Sequence, residues 1–194
     1  MRHGETEANV QSVLLGRADS PFTEAGWLQP VEVARHLDGS GLDHVYVSPM
    51  ARTQRTADLV LETLGRTIPI ETVEELAEID AGEFTGLTFQ QVYERLPSDA
   101  VLGHFRYPGG ESWQEVQIRA VEFVLGLEGR HAQDSILLVT HAGVIAGLVA
   151  AYVGEPIEKY IRTRFGHDYL GCLTIESGVF RGYDRVTGTV DTWF

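Results

Sequence analysis

Apolar residues recur along this chain in alternating blocks of two periods, one suited to helices and the other to strands. After Thr23, apolar side chains at Trp27, Val31, Ala34 and Leu37 recur three or four residues apart, which predicts a helix that stops at Gly39-Ser40-Gly41. His44-Val45-Tyr46-Val47-Ser48 has the β-branched and aromatic make-up of a short strand. Pro49 sits where a helix can begin, and Met50 to Leu64 carries apolar residues at helical spacing. Ile68 to Val73 reads as a further strand, and Thr88 to Leu96 as a short helix ended by Pro97. A second long helix is predicted to start near Glu111, after Pro108-Gly109-Gly110, and to continue to about Gly129. Ile136 to Thr140 is almost uninterruptedly apolar, as expected of a strand covered on both faces. Gly143 to Val153 reads as a helix, and Leu173–Ile175 with Val179–Tyr183 as a closing hairpin across Ser177-Gly178.

Strands alternating with helices imply an α/β fold, with helices on both faces of a largely parallel sheet. Chemistry in such sheets gathers at the C-terminal ends of the strands. No repeat, low-complexity tract or linker interrupts the pattern, so a single domain is expected over residues 1–194.

Charge narrows the partners. The 28 acidic and 15 basic residues give a net charge of −13, which argues against nucleic-acid and anionic-membrane binding. An anionic substrate then requires the few arginines to be concentrated locally. No apolar run approaches the roughly 20 residues that span a bilayer. The start, Met1-Arg2-His3-Gly4-Glu5, lacks the apolar core of a secretory signal. The single cysteine, Cys172, reads as a small core residue, and a cytoplasmic location is expected. Exposed edge strands are compatible with a homodimer.

Four clusters fall where a strand or its following loop should end. They are Arg2-His3-Gly4-Glu5-Thr6 with Asn9, Ser48-Pro49 leading to Arg52, Glu78, and Thr140-His141-Ala142-Gly143. Two histidines, two arginines, an asparagine and a carboxylate suit phosphoryl transfer. Guanidinium forks and imidazoles stabilise the charge on the equatorial oxygens, and a neutral imidazole nitrogen is a competent nucleophile. Glu78 is the candidate for protonating the leaving oxygen. The ring nitrogen opposite the nucleophilic one must be held by a hydrogen bond to fix the tautomer, and Gly4 would let the backbone approach that nitrogen or the phosphate. Taken singly, Arg2 and His3 read as solvated terminal residues, Arg52 and Arg55 as an exposed helix face, and Glu78 as part of a solvated acidic loop. His141, ending so apolar a strand, reads evenly as core or functional. A metal set of His3, Glu5, Glu78 and His141 lacks any metal-binding spacing, so no metal or other cofactor is expected.

The ordered set resembles the histidine phosphatase superfamily, also called phosphoglycerate-mutase-like. Arg2-His3-Gly4-Glu5-Thr6 is similar to its Arg-His-Gly signature, with Asn9 at the phosphate-binding asparagine, and Ser48-Pro49-Met50-Ala51-Arg52-Thr53 to its Ser-Pro-x-x-Arg stretch. Glu78 aligns with the acid/base glutamate and His141 with the second histidine, while Pro108-Gly109-Gly110-Glu111-Ser112 is similar to a block of the phosphatase branches. The resemblance runs from Arg2 to about Val153, and no motif is recognised from Gly154 to Phe194. It implies a three-layer α/β/α sandwich and a metal-independent phosphohistidine mechanism. His3 is the implied nucleophile and Glu78 the acid/base. Arg2, Asn9, Arg52, Ala142 and His141 are the implied phosphate ligands.

The stretch from Glu78 to His141 is too short for the insertion that the mutases carry, which favours hydrolysis. Similarity to the fructose-2,6-bisphosphatase branch is partial, because Ala142 and Ala146 stand where that branch has polar residues. A small-molecule monophosphate ester with a partly apolar leaving group is therefore expected, near Phe84, Phe105, Tyr107 and Trp113, although each of these reads more readily as core. A phosphoglycerate-type mutase and a catalytically silent phosphoanion-binding module are the alternatives. In that family an apolar strand leads into the Arg-His-Gly motif, whereas here only Met1 precedes Arg2. The expectation is either a natural start further upstream or a gap in the sheet beside the nucleophile.

Overall fold

In the computed structural model, which describes residues 1–192, a parallel sheet of β1 (Leu42–Val47), β2 (Ile70–Thr72) and β3 (Ser135–Val139) lies at the centre. Its order is β2-β1-β3, with Val45 of β1 opposite Ile70 on one side and Leu137 on the other. Trp193 and Phe194, the end of the predicted domain, lie outside the described residues.

Alternation along these strands sorts the helices into two layers. Val45 and Val47 of β1, with Leu137 and Val139 of β3, point to one face. There they pack on Val33 and Ala34 of α2 (Glu24–Ala34) and on Ala57 and Val60 of α3 (Ala51–Leu64). Tyr46, Ile136 and Leu138 point to the other face. They meet Val116, Ala120 and Val124 of α5 (Trp113–Gly126) and Val144 and Leu148 of α6 (Ala142–Val153). The expected α/β/α layering is therefore present. Two short helices, α1 (Glu7–Val10) and α4 (Phe89–Arg95), complete the set.

The C-terminal part departs from the parallel pattern. The predicted hairpin is present but longer, as β5 (Leu170–Glu176) and β6 (Val179–Thr187). A second antiparallel pair joins β4 (Thr163–Phe165) to β7 (Val190–Thr192). Cys172 lies on β5 and is exposed, not in the core, because a register irregularity after Leu170 turns it outward while its neighbours in the alternation, Leu173 and Ile175, pack on the core.

The N-terminal residues take a strand-like place. The His3 N–H donates to the Thr140 carbonyl at 3.0 Å, the Thr140 N–H to Met1 at 3.0 Å, and the Arg2 N–H to Tyr169 at 3.3 Å. Residues 1–3 thus wedge between the end of β3 and the start of β5, which aims His3 at the C-terminal edge of the sheet. The Met1 ammonium is buried and donates to the Leu138 carbonyl at 2.7 Å. Burial pushes its pKa down to about 5. Below this stub, a cavity of about 570 Å³ runs between β3 and β5, walled by residues that include Met1, Leu138, Leu148, Leu170 and Leu173.

Helix α2 docks unusually close to the N-terminal loop. Pro30 lies inside it and has no N–H, so the Gly26 carbonyl loses its helical donor. That carbonyl faces Gly4, where an added methyl group would overlap it, and a methyl group on Gly26 would in turn overlap the Glu5 carbonyl. Gly4 is thus needed for helix packing, in addition to the approach to the histidine ring or the phosphate expected of it.

Candidate active site

Each of the four clusters is held by bonds that explain its residue types. The His3 ring is buried, and its Nδ1–H donates to the Gly4 carbonyl at 2.8 Å. A carbonyl only accepts, so this bond fixes the tautomer and leaves the lone pair on Nε2. Burial is the main cause that drives the His3 pKa well below the ordinary imidazole range, with Arg52, His141, Arg2 and His167 adding to it. The ring is consequently neutral at neutral pH, the state a nucleophile needs.

His141 is fully buried at the N-cap of α6, its ring centroid 5.2 Å from that of His3. Its Nε2 pairs with Ser48 Oγ at 2.7 Å, while its Nδ1 meets no hydrogen-bond partner among the described residues. Burial, then Arg52 and Arg2, holds its pKa well below normal. With Ser48 donating to Nε2, Nδ1 carries a proton that an anion can accept. Ala142 follows as the first residue of α6. Its backbone N–H is one of the helix's orphan donors, at the end where the helix dipole favours negative charge.

Arg52 is 4% exposed, in the first turn of α3. Its guanidinium donates to the carbonyls of Ala18 at 2.6 Å and Gly16 at 2.8 Å, and to Asp19 Oδ1 at 3.3 Å. Asp19 also accepts the N–H groups of Ala51 and Arg52, capping a helix whose own N-cap residue, Met50, offers no side-chain bond. The expected exposed arginine face is therefore wrong for Arg52 and right for Arg55, which is partly exposed and stacks on Trp27. Arg2 donates to the Phe165 carbonyl, and its Nε has no partner among the described residues. Burial lowers its pKa to about 10, which leaves it charged at neutral pH.

Glu78 belongs to this neighbourhood, since its charge acts on both Arg2 and Arg52. Its Oε1 accepts the Ile79 N–H at 3.0 Å. A methyl group on Gly143 would overlap both this carboxylate and the Trp113 ring, so the three side by side depend on glycine there. Asn9 sits on α1 and uses its carboxamide oxygen locally, accepting from the Thr6 N–H and hydroxyl. Glu5 accepts from Thr23 at the start of α2, which gives it a structural task in place of metal ligation.

Sequence reasoning missed two features. His167 lies in the stretch where no motif was recognised, yet its ring is 5.2 Å from that of His3 and its Nδ1–H donates to the His3 carbonyl at 2.8 Å. Burial and the nearby Arg2 push its pKa down to about 3 despite that bond. The second feature is the frame behind Glu78. Arg119 donates to the carbonyls of Glu75 at 2.7 Å and Glu78 at 3.3 Å, and to both carboxylate oxygens of Glu111. Glu111 also accepts the Asp80 N–H at 2.9 Å. Burial opposes its charge, but Arg119, the Asp80 N–H and Arg17 outweigh that and hold its carboxyl below the ordinary range. The helix predicted to start near Glu111 has Ser112 as its N-cap, in a capping box with Glu115.

Glu111→Gln should loosen the segment that carries Glu78. A displacement of about 1 Å at a reacting group costs roughly 100-fold in rate, so kcat for an aryl phosphate should fall about 10- to 100-fold with KM little changed. Steady-state kinetics showing an unaltered kcat would remove Glu111 from this role.

Of the four aromatic residues expected near a leaving group, Phe84 and Tyr107 are buried and pack on each other and on Phe105. Trp113 is placed beside Glu78, whose charge also acts on Tyr107.

Comparison with known proteins shows the family. Residues 1–182 match the family described as the histidine phosphatase superfamily (branch 1). The chain belongs to the histidine phosphatase superfamily. It is 33% identical over 171 residues to the probable phosphoglycerate mutase GpmB of Cronobacter sakazakii, covering 84% of this chain and 79% of that protein. It is 30% identical to the adenosylcobalamin/alpha-ribazole phosphatase of Escherichia coli, covering 81% of this chain and 79% of that one. Among solved structures, the alpha-ribazole phosphatase from Shigella flexneri superposes with a TM-score of 0.78 at 29% identity, over 93% of this chain and 91% of that one. Membership of this superfamily means phosphatase or mutase-like chemistry. No helix among the described residues is long and apolar enough to cross a membrane.

Proposed function

We propose that this chain hydrolyses a small-molecule phosphate monoester without a metal, through a phosphohistidine on His3. One observation carries the reading. The Nδ1–H of His3 is committed to the Gly4 carbonyl, so the lone pair of a buried neutral ring sits on Nε2, in a cluster with His141 and the charges of Arg2 and Arg52. Nε2 attacks phosphorus as the P–O bond to the leaving group breaks, and Glu78 in its protonated form supplies the proton that the departing oxygen needs. Water then attacks the phosphohistidine. Glu78 takes its proton, the N–P bond breaks, the lone pair returns to Nε2, and inorganic phosphate leaves. Arg2, Arg52, His141 Nδ1, the Asn9 carboxamide and the Ala142 N–H stabilise the equatorial oxygens, and the two guanidinium groups supply the charge that a metal otherwise would. Trp113 beside Glu78 suits a leaving group with an apolar part.

Turnover of an aryl phosphate in EDTA tests the reaction, and Glu78→Gln tests its acid. Glutamine cannot donate the proton, so the rate should fall about 10²- to 10⁴-fold for an alkyl ester. The loss should be much smaller for a nitrophenyl ester, whose oxygen leaves without help. Equal losses for the two esters would refute the assignment of Glu78.

A mutase reading has support in the names of several relatives. Interconversion of 2- and 3-phosphoglycerate, faster than release of phosphate, would establish it in place of hydrolysis.

A further inference from the structure

A second cluster of ligand-type side chains lies at the opposite end of the sheet, the length of β3 away from the histidine pair, or roughly 15 Å. It consists of His44 on β1, and His131 and Asp134 in the loop that leads into β3. One ligand atom from each lies within 4.8 Å of the other two. His131 Nδ1 is 2.8 Å from Asp134 Oδ2, and His44 Nε2 is 3.5 Å from the same oxygen. The two imidazole rings are 4.3 Å apart, centroid to centroid.

Three features distinguish this group from a surface ion pair. The spacing brackets what a tetrahedral ion requires, since bonds of about 2.0–2.1 Å place neighbouring ligand atoms roughly 3.3 Å apart. The far nitrogen of His131, Nε2, is held by the hydroxyl of the buried Tyr46 at 2.8 Å. That bond orients the ring and leaves Nδ1 facing the cluster, as outer-shell partners of metal-bound histidines do. The loop is also pinned, by the Asp134 N–H to the His131 carbonyl at 3.2 Å and the Ser135 N–H to Asp43 at 2.9 Å. His44 Nε2, meanwhile, stands too far from Asp134 for a good hydrogen bond, and an ion between them would use both atoms.

We infer that His44, His131 and Asp134 form a binding site for a divalent transition-metal ion of the zinc type, with water completing the coordination on the exposed side. Two imidazoles and one carboxylate match the ligand preference of Zn²⁺ and do not suit Mg²⁺ or Ca²⁺, which take oxygen ligands. Bound there, the ion would clamp β1 to the loop before β3. The inference is independent of the proposed reaction, whose residues lie at the other end of the strands.

The test is calorimetric titration of the purified chain with Zn²⁺ in a non-chelating buffer, with melting temperature as a second readout. The wild type should bind one ion per chain and melt at a higher temperature with Zn²⁺ present. His44→Ala and Asp134→Asn should each weaken binding at least about 10-fold and abolish the melting shift. Both should hydrolyse an aryl phosphate at the wild-type rate. Co²⁺ should give a visible d–d spectrum in the wild type that both variants lose. Failure of the wild type to bind would overturn the inference. So would binding that survives in His44→Ala and Asp134→Asn but disappears in His3→Ala, since that would place the ion at the histidine pair.

Discussion

His3→Ala should lose phosphate-ester turnover by at least about 10⁴-fold while remaining folded, because the variant has no nitrogen to form the covalent intermediate. The expectation of a folded variant has a structural basis. The side chain's one hydrogen bond goes to the neighbouring Gly4 carbonyl, whereas the contacts that anchor this segment are made by the backbone. The His3 N–H still reaches Thr140, and the His3 carbonyl still accepts from His167. His3→Ala should therefore bind inorganic phosphate or vanadate through Arg2, Arg52 and His141, and melt within a few degrees of the wild type. Steady-state rates with thermal melts check both halves. Residual turnover above about 1% of wild type would mean that another group attacks phosphorus. A variant that neither turns over nor binds phosphate, but melts normally, would mean that His3 serves binding instead.

Folding stability should fall steeply on mild acidification. His3, His141 and His167 are buried, and each has a pKa below the unfolded value of 6.5, to about 3 for His167. Burial is the principal cause for all three, with neighbouring arginine charge adding to it. Between the folded and unfolded values the unfolded chain holds a proton that the native one refuses. Stability therefore rises with pH in that window, and is lost as pH drops below about 6.5, at about 1.4 kcal/mol per pH unit for each group. An opposing effect comes from the net charge of −13, since protonating carboxylates relieves self-repulsion. Ordinary carboxylates titrate near pH 4, so between about pH 6.5 and 5 the histidine effect wins. Urea unfolding at pH 7 and pH 5 should show the loss. Saturating phosphate should reduce it, because the anion favours protonated imidazole. His167→Asn should shed about one proton's share of the slope. Equal stability at the two pH values would contradict the burial of neutral rings.

Legibility in the sequence followed the range of the forces involved. Arg52 and His141 were legible because each follows or ends a short apolar strand, and strand ends in a parallel sheet converge without any distant partner being known. His3, with only Met1 and Arg2 before it, was legible through the resemblance of Arg2-His3-Gly4 to the family signature. The helices were legible from their apolar spacing, and Ala34, Ala57, Val60, Val116 and Ala120 do face the sheet, but Trp27, counted in the spacing for α2, is exposed. His167 was not found, because it reaches His3 only through the antiparallel segments after α6 and carries no local pattern. Arg119 was equally silent as one charged position on a helix, and its meaning depends on Glu111 and the carbonyls of residues 75 and 78. Cys172 was misread because its residue type suggests burial while its place on the strand faces outward. Gly4 was legible in part, since its carbonyl meets the ring nitrogen opposite the nucleophilic one as expected, whereas the close approach that requires glycine comes from the Gly26 carbonyl.

The account rests on a covalent bond between phosphorus and the His3 ring. Rapid quenching of the enzyme during turnover of an aryl phosphate, under alkaline conditions that preserve phosphohistidine, followed by peptide mass spectrometry, observes that bond directly. A phosphoryl group on the peptide containing His3, absent from His3→Ala and accumulating in Glu78→Gln with the nitrophenyl ester, is the predicted result. A phosphoryl group on any other residue, or turnover with no phosphorylated peptide in either protein, would contradict it.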